Sequence, residues 1–320
     1  MAKNSTESKQ MHLLILNELS SEYKKALAQD FPELVIHPAA NEDDVGSFIE
    51  RAHILFTGKI SDALLKRASR LQWIQATSTG VDALVNLPSL RKEVLLTSAR
   101  GIHGPQMSEI AILLMLSLNR RFPQILHNQD RKAWVRWRQK LLSGKNVGIL
   151  GVGVVGEAIA VKCKAFGMTV YGIDLVKKEV ETVDLFVGPD EMFRVLGDLD
   201  FLVVVVPSTP QTKKMVNAKV LSAMKPTAFV LNLGRGEVVD EEALIESLSN
   251  GTIAGAALDT FTTEPLPPDH PFWEMNHVII TPHLGGYSDT YLEQMLPIFR
   301  ENLRRFLQGE RRNLVNLVER

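Results

Sequence analysis

The stretch that decides the fold runs from Asn146 to Ala160 and reads NVGILGVGVVGEAIA. Its first five residues predict a short buried strand, and its last residues, Glu157 to Ala160, favour a helix. Between them lies the pattern G-x-G-x-x-G, formed by Gly151, Gly153 and Gly156. A further apolar run follows the helix and ends at Asp174. This order of strand, glycine loop, helix, strand and acid predicts a βαβ unit that binds a dinucleotide.

Each element of this pattern has a physical role. Gly151 permits the tight turn, Gly153 lets the backbone approach a pyrophosphate, and Gly156 lets the helix pack closely on the strand. The helix N-terminus offers free N–H groups to the phosphates. Asp174 can accept hydrogen bonds from ribose hydroxyls and would repel a 2′-phosphate, which favours NAD over NADP, whereas the nearby Lys177 and Lys178 weaken that preference. The alternative interpretation is a glycine turn that binds no ligand.

Short apolar runs alternate with helical patterns on both sides of this unit, which predicts parallel sheets covered on both faces. The first series of predicted strands comprises His12–Leu16, Leu34–His37, Ile54–Thr57, Trp73–Ala76 and Leu95–Thr97. The second series comprises Asn146–Leu150, Thr169–Ile173, Phe201–Val206, Ala228–Leu233, Gly255–Leu258 and Val278–Thr281. A helix is predicted from Gln106 to about Leu118, and a charged segment with tryptophans extends from Asp130 to Lys140.

The predicted fold class is therefore α/β with two doubly wound domains. A final amphipathic helix, from about Ser288 to Leu307, has no strand after it and is expected to return to the first domain. We expect residues 1–103 and 288–320 to form a flavodoxin-like substrate domain. A Rossmann domain that binds NAD, residues 104–287, would be inserted into it.

Composition excludes several other classes of protein. The formal net charge is −1, which gives no electrostatic footprint for nucleic acid or an anionic membrane. Cys163 is the single cysteine, so an intrachain disulfide is impossible, and we interpret it as a small buried hydrophobe. The polar start of the chain does not resemble a signal peptide, and no apolar run reaches the length of a membrane span. A cytoplasmic protein without a metal site is expected.

Three further motifs follow predicted strands of the second series. They are Asn232-Leu-Gly-Arg235-Gly, Leu258-Asp259-Thr-Phe-Thr-Thr-Glu264 and Thr281-Pro-His283-Leu-Gly285. The carboxyl ends of strands form the edge where open parallel sheets bind ligands.

Hydride transfer to a keto acid needs the three side chains that these motifs supply. Arg235 can hold a carboxylate and polarise a carbonyl. His283 can donate the proton, and Glu264 can orient its ring and favour the imidazolium. Taken singly, each is more commonly a surface, loop or turn residue, and we interpret the other seven histidines as structural or exposed.

At this point the chain resembles the D-isomer-specific 2-hydroxyacid dehydrogenases, a family that includes glyoxylate/hydroxypyruvate reductases and phosphoglycerate dehydrogenases. The resemblance covers nearly the whole chain. Besides the motifs above, it rests on Ile54-Leu-Phe-Thr-Gly, Leu71–Asp82, Glu109-Ile-Ala-Ile-Leu-Leu-Met-Leu and Val206-Pro-Ser-Thr-Pro-Gln-Thr212. Val205, and the pair Val154-Val155 within the glycine loop, depart from residues common in the family.

The resemblance implies an NAD-dependent oxidoreductase that acts on a small 2-keto or 2-hydroxy acid and dimerises through its nucleotide domain. It implies that Arg235 binds substrate, that Glu264 pairs with His283, and that His283 donates and accepts the proton. Backbone amides at Thr79 and Gly80 would hold the substrate carboxylate. The implied cofactor contacts are the glycine loop with Val154 and Val155, and Asp174, Val206, Pro207, Thr212, Leu233, Gly234, Asp259, Gly285 and Met107.

One alternative comes from another class of protein. The same fold serves corepressors that sense dinucleotide occupancy and recruit partners, and such a protein could keep all of these motifs. The absence of a basic face and of a long disordered tail in the sequence argues against it.

Overall fold

A computed structural model of the chain describes residues 10–176 and 179–320. The expectation about the N-terminal residues and the effect ascribed to Lys177 and Lys178 fall outside these ranges. The chain divides into two units. The first unit contains the residues up to Ile102 together with Ser288–Arg320, and the second contains His103–Tyr287.

The first unit is built on a five-stranded parallel sheet in the order β2-β1-β3-β4-β5. This is the flavodoxin-like order. Its strands are β1 (His12–Leu16), β2 (Val35–Ala39), β3 (Ile54–Thr57), β4 (Trp73–Ala76) and β5 (Leu95–Thr97), and its first helices are α1 (Ser20–Ala28), α2 (Asp62–Lys66) and α3 (Asp82–Val85). Strand β2 continues through Pro38, beyond the predicted end, because an edge strand tolerates a residue without an N–H.

The second unit is built on a seven-stranded parallel sheet in the order β12-β11-β10-β9-β6-β7-β8. The strands are β6 (Asn146–Leu150), β7 (Thr169–Ile173), β8 (Leu185–Val187), β9 (Phe201–Val204), β10 (Phe229–Asn232), β11 (Gly255–Leu258) and β12 (Val278–Ile280). The helices are α4 (Gly104–Arg120), α5 (Phe122–Asp130), α6 (Val154–Ala165), α7 (Ala218–Ala223) and α8 (Glu241–Ser249). Two buried apolar clusters cover the two faces of this sheet, as the doubly wound class requires.

Two elements of the second unit were missed by the sequence analysis. Strand β8 is only three residues long, and its Leu185 is exposed, so it gives no buried apolar run to recognise. Helix α5 is nine residues long and has no buried residue, and the sequence analysis assigned no element to its range.

The last helix of the described residues, α9 (Tyr291–Leu307), packs on the sheet of the first unit. The ring of Phe299 lies 4.5 Å from that of Phe56 and 5.8 Å from that of Trp73, measured between centroids. Phe306, two turns further along α9, stacks on Trp73 at 5.1 Å. Aromatic burial of this kind contributes both apolar area and favourable ring geometry, which explains why a helix so remote in sequence returns to the first sheet.

The register of the second sheet brings the carboxyl ends of five of its strands to one edge. Leu150 of β6 pairs with Val204 of β9, and Val204 pairs with Asn232 of β10. Asn232 pairs in turn with Leu258 of β11, which pairs with Ile280 of β12. The loops that follow these five strands are therefore neighbours, and they carry the motifs predicted to form the site.

Within the described ranges, every helix is too short or too polar to cross a membrane. Cys163 lies buried in α6, and burial raises the pKa of its thiol to about 12, so the interpretation as a buried hydrophobe fits the structure.

Candidate active site

The glycine loop between β6 and α6 is closed by two tight contacts. Gly151 has a φ of +99°, and a Cβ added there would lie 2.7 Å from the side chain of Val206. A Cβ on Gly156 would lie only 2.1 Å from the carbonyl oxygen of Gly151. Neither position tolerates a side chain, because the first requires a left-handed backbone and the second would collide with the loop itself.

The outer side of this loop has room for a ligand. Gly153 caps the N-terminus of the 12-residue helix α6, and no described atom lies within 4 Å of a Cβ added there. Within the sheet, β7 lies on one side of β6 and β9 on the other, so the strand order reverses at this point. A loop at such a switch point, with a helix N-terminus behind it, suits a pyrophosphate, so these residues fit the predicted dinucleotide.

Asp174, at the end of β7, has a role that its spacing did not reveal. Its Oδ2 accepts a 2.7 Å hydrogen bond from the backbone N–H of Val152, and its Oδ1 accepts one of 2.8 Å from the N–H of Val176. The carboxylate thus joins the turn after β6 to the turn after β7. A carboxylate oxygen can accept more than one hydrogen bond, so the predicted ribose contact is compatible with this arrangement.

Glu264 and His283 form a direct pair. The Nδ1 atom of His283 lies 2.8 Å from Oε2 of Glu264, while Oε1 of Glu264 accepts a hydrogen bond from the backbone N–H of Phe261 at 3.0 Å. Because an ionised carboxylate can only accept, Nδ1 carries the hydrogen in this contact. The other ring nitrogen, Nε2, is then free of this pairing for a reacting group, and about half of the His283 side chain is exposed.

The backbone around His283 is held by Asp259, whose side chain is buried. His283 has a φ of +54°, and its N–H donates to the carbonyl oxygens of Asp259 and Thr281. The Asp259 carboxylate accepts hydrogen bonds from Thr281 Oγ1 at 2.5 Å and from the N–H groups of Leu284 and Gly285, both at 2.9 Å. Asp259 therefore shapes the loop that presents His283, and the cofactor contact predicted for it stays a prediction.

Arg235 lies in the loop after β10 and is half-buried. The buried Asn232 shapes this loop, since its side-chain amide donates to the Arg235 carbonyl at 3.0 Å and accepts from the N–H of Gly234 at 3.2 Å. The guanidinium donates to the Gly234 carbonyl at 2.8 Å. The strand register brings this loop, the loop of Glu264 and the loop of His283 to one edge of the sheet.

The remaining predicted cofactor residues of the second unit lie in loops at the same sheet edge or, in the case of Met107, in helix α4. Val206 and Pro207 follow β9, and Thr212 donates from its hydroxyl to the Pro207 carbonyl at 2.6 Å. Leu233 and Met107 are buried, on the β10 loop and in α4. Thr79 and Gly80 lie in the first unit, in the loop after β4, and their role in binding a carboxylate stays a prediction.

Sequence reasoning missed His103, which lies directly before α4 with only 9% of its surface exposed. Burial, with a smaller effect of the Arg235 charge, lowers the pKa of His103 from 6.5 to about 4. Because more than a hundred residues separate His103 from Arg235 in the chain, no local pattern could have joined them.

The neutral state of His103 predicts a pH-dependent stability. Between pH 6.5 and pH 4 the unfolded chain binds a proton at His103 that the folded chain excludes, so stability falls as the pH falls through this window. This residue alone is expected to lower the free energy of unfolding by about 3 kcal/mol between the top and the bottom of this window. Urea unfolding of the wild type and of His103→Gln at pH 7.5 and pH 4.5 measures it, as the difference between the two proteins in their loss of unfolding free energy.

The matched control for this measurement is His277→Gln, which replaces an exposed histidine. It is expected to lose as much stability as the wild type does between the two pH values. Equal losses for His103→Gln and the wild type would show that His103 takes up its proton as readily in the folded protein as in the unfolded chain.

No group of three or more histidine, cysteine, aspartate or glutamate side chains suited to a metal ion occurs in residues 10–176 and 179–320.

Comparison with known proteins identifies chains that are similar to this one. The family model described as D-isomer specific 2-hydroxyacid dehydrogenase, NAD binding domain, matches residues 112–285. A D-3-phosphoglycerate dehydrogenase of Methanocaldococcus jannaschii is 30% identical over 312 residues, which cover 95% of this chain. The chain spans only 59% of the length of that relative.

Two solved structures are similar over nearly the full length. One is a D-isomer specific 2-hydroxyacid dehydrogenase family protein from Aeromonas salmonicida subsp. salmonicida A449, with 34% identity, a TM-score of 0.89, and coverage of 97% of this chain and 99% of that chain. The other is an NADPH-dependent glyoxylate/hydroxypyruvate reductase from Sinorhizobium meliloti, solved with NADP and sulfate. It has 27% identity, a TM-score of 0.82, and coverage of 97% of this chain and 98% of that chain.

Proposed function

The chain belongs to the D-isomer-specific 2-hydroxyacid dehydrogenase family, and from this premise we propose that it transfers a hydride between NAD(H) and a small 2-keto or 2-hydroxy acid. The observation that carries the proposal is the 2.8 Å contact between His283 Nδ1 and Glu264 Oε2. The strand register supports it, because the loops that bear this pair share a sheet edge with the glycine loop and with Arg235.

Each catalytic role is assigned to a residue of the second unit. A bound nicotinamide would supply the hydride in the reducing direction. Arg235 would hold the substrate carboxylate and polarise the carbonyl through its planar, permanently charged fork. Nε2 of His283 would donate a proton to the carbonyl oxygen, while Glu264 fixes the ring through Nδ1 and stabilises the imidazolium. In the oxidising direction the neutral ring would accept that proton.

Turnover assays test this proposal directly. The purified protein, NADH or NADPH, and a panel of 2-keto acids including glyoxylate and hydroxypyruvate are followed by the absorbance of the reduced cofactor, and the product is resolved by chirality. We expect NADH oxidation with a 2-keto acid and, where the product is chiral, the D isomer. A protein that binds NADH tightly but oxidises none with any member of the panel would instead favour the dinucleotide-sensing alternative.

The cofactor preference is proposed to depend on Asp174. The Asp174 carboxylate would repel the 2′-phosphate of NADPH, and such repulsion weakens binding. The wild type is therefore expected to have a kcat/KM for NADH at least about tenfold that for NADPH, which corresponds to a free-energy difference of about 1.4 kcal/mol. Asp174→Asn should narrow this ratio mainly by improving NADPH. Asp174→Ala should also weaken NADH binding, because it removes the acceptors that hold Val152 and Val176. Steady-state kinetics with both cofactors measures the ratio.

The control for these variants is Asp190→Asn, which removes an exposed carboxylate outside the loop. It should leave the preference unchanged. Equal kcat/KM values for the two cofactors in the wild type would contradict the role given to Asp174.

A homodimer through the second unit is also proposed. Apolar side chains are exposed along residues 122–141, among them Phe122, Leu126, Trp134, Val135 and Leu141. Trp134 is 94% exposed in the single chain. A row of large apolar side chains this exposed is typical of a surface that another protein covers.

Sedimentation measures the proposed dimer. The wild type should sediment with the mass of two chains, and the double variant Leu126→Asp, Trp134→Asp with the mass of one. Trp273→Ala, which changes another exposed tryptophan, should remain a dimer. A wild type that is monomeric at micromolar concentration would contradict the proposal.

A further inference from the structure

His103 makes close contact with the loop that presents His283. A Cβ added to Gly286 would lie 3.0 Å from Cδ2 of His103 and 3.5 Å from its Nε2. The imidazole therefore rests against the backbone of Gly286, at a position where any other residue would push on the ring. Gly286 is three residues after His283 in the same loop.

The rest of the first turn of α4 supports the same loop. The side-chain amide of Gln106 donates to the carbonyl oxygen of Gly286 at 3.4 Å. A Cβ added to Gly285 would lie 2.9 Å from the sulfur of Met107 and 2.8 Å from Oδ2 of Asp259. The two consecutive glycines thus allow α4 to pack directly on the backbone of the catalytic loop.

The ring of His103 is also within electrostatic reach of Arg235. Arg235, from the loop after β10, is the charged group that acts on it, whereas Gly286 and Gln106 carry no charge. Burial keeps the imidazole neutral at ordinary pH, so it has one donor and one acceptor nitrogen and adds no positive charge beside Arg235. A second cation there would compete with Arg235 for water and for anionic ligands.

We propose that His103 is a positioning residue of this site: its imidazole packs on Gly286 within reach of the Arg235 charge, and so sets the loop after β10 relative to the loop after β12. The proposal rests on the proposed function, since the substrate carboxylate is what Arg235 is expected to bind. Its consequence is specific: loss of the imidazole should impair capture of the keto acid while cofactor binding, which depends on the glycine loop, is retained.

The test compares substitutions that separate packing from polarity. His103→Phe keeps a buried ring without either nitrogen, and His103→Gln keeps a neutral donor and acceptor. We expect His103→Phe to raise KM for the 2-keto acid about tenfold, which corresponds to about 1.4 kcal/mol, with the Kd for NADH changed less than about twofold. His103→Gln should restore most of the loss.

The variant Gly286→Ala disturbs the same contact between His103 and Gly286 from the side of the loop. The added methyl displaces the imidazole, so KM for the keto acid should rise as in His103→Phe, with the Kd for NADH again retained. Gly188→Ala is the control, because a Cβ there meets open space and the backbone is extended. It should match the wild type in both constants.

The outcomes separate this inference from the proposed function. A wild type without turnover on the keto-acid panel refutes the function, and the inference with it. An active wild type whose His103→Phe variant has unchanged KM and kcat overturns the inference alone. The same holds if His103→Phe weakens NADH and keto acid equally, since that is the mark of a structural role only. If His103→Phe does not fold, Gly286→Ala and His103→Gln decide.

Discussion

Replacing His283 by alanine is expected to lower kcat for 2-keto acid reduction by about 10²- to 10⁴-fold, the contribution typical of a general acid. The Kd for NADH should change little, because the residues that suit the dinucleotide lie in the loops after β6 and β7. His283→Ala removes the ring nitrogen that would donate the proton and leaves Asp259 to hold the loop through Thr281, Leu284 and Gly285. Stopped-flow single turnovers and NADH titration separate the two quantities.

Two variants control this experiment. His277→Ala changes an exposed histidine that lies just before β12 and should retain wild-type kcat. Glu264→Gln keeps the shape of the acid but removes the charge that stabilises the imidazolium, so it should lower kcat, though less than His283→Ala does. A Glu264→Gln variant with unchanged kcat would show that Glu264 contributes only to the structure of its loop.

Replacing Arg235 by alanine is expected to impair both kinetic constants. Loss of a group that stabilises developing charge costs about 10²- to 10³-fold in kcat, and KM for the keto acid should rise as well, because the same guanidinium binds the ground-state carboxylate. Arg235→Lys keeps the charge but not the planar fork, so it should recover only part of the loss. Steady-state kinetics on a fixed keto acid at saturating NADH measures both constants.

Arg194→Ala serves as the control for Arg235, since Arg194 is exposed and pairs only with its helical neighbour Glu191 within the contacts described. An Arg235→Ala variant that raises KM and leaves kcat intact would limit Arg235 to binding. A variant with both constants unchanged would remove Arg235 from the site.

The sequence grouped the predicted site residues through their positions at strand ends. Parallel strands in register bring their carboxyl ends to one edge, so Arg235, Glu264 and His283 could be grouped before any coordinates were known. The glycine spacing predicted the turn at Gly151 and the close packing at Gly156, both of which the structure contains. The resemblance to the D-isomer-specific 2-hydroxyacid dehydrogenases is confirmed by the family match.

What the sequence could not predict depends on contacts between segments that are remote in the chain. His103 has an unremarkable local pattern, and its burial against Gly286 arises only when α4 packs on the β12 loop. The bonds that Asp174 accepts from two turns, and those that Asp259 accepts from the His283 loop, likewise require the folded backbone. Spacing identified Asp174 and the family resemblance identified Asp259, but both acids were assigned to the ligand alone.

Transfer of a label from the cofactor to the product tests the central claim most directly. NADH deuterated at the transferred position of nicotinamide C4 is incubated with the wild-type protein and either hydroxypyruvate or glyoxylate, and each product is examined by mass spectrometry and NMR. The account predicts D-glycerate with deuterium at C2, and at least about a 10²-fold slower appearance of label with His283→Ala. Hydroxypyruvate and glyoxylate that both remain unreduced, with NADH bound and its deuterium retained, would contradict it.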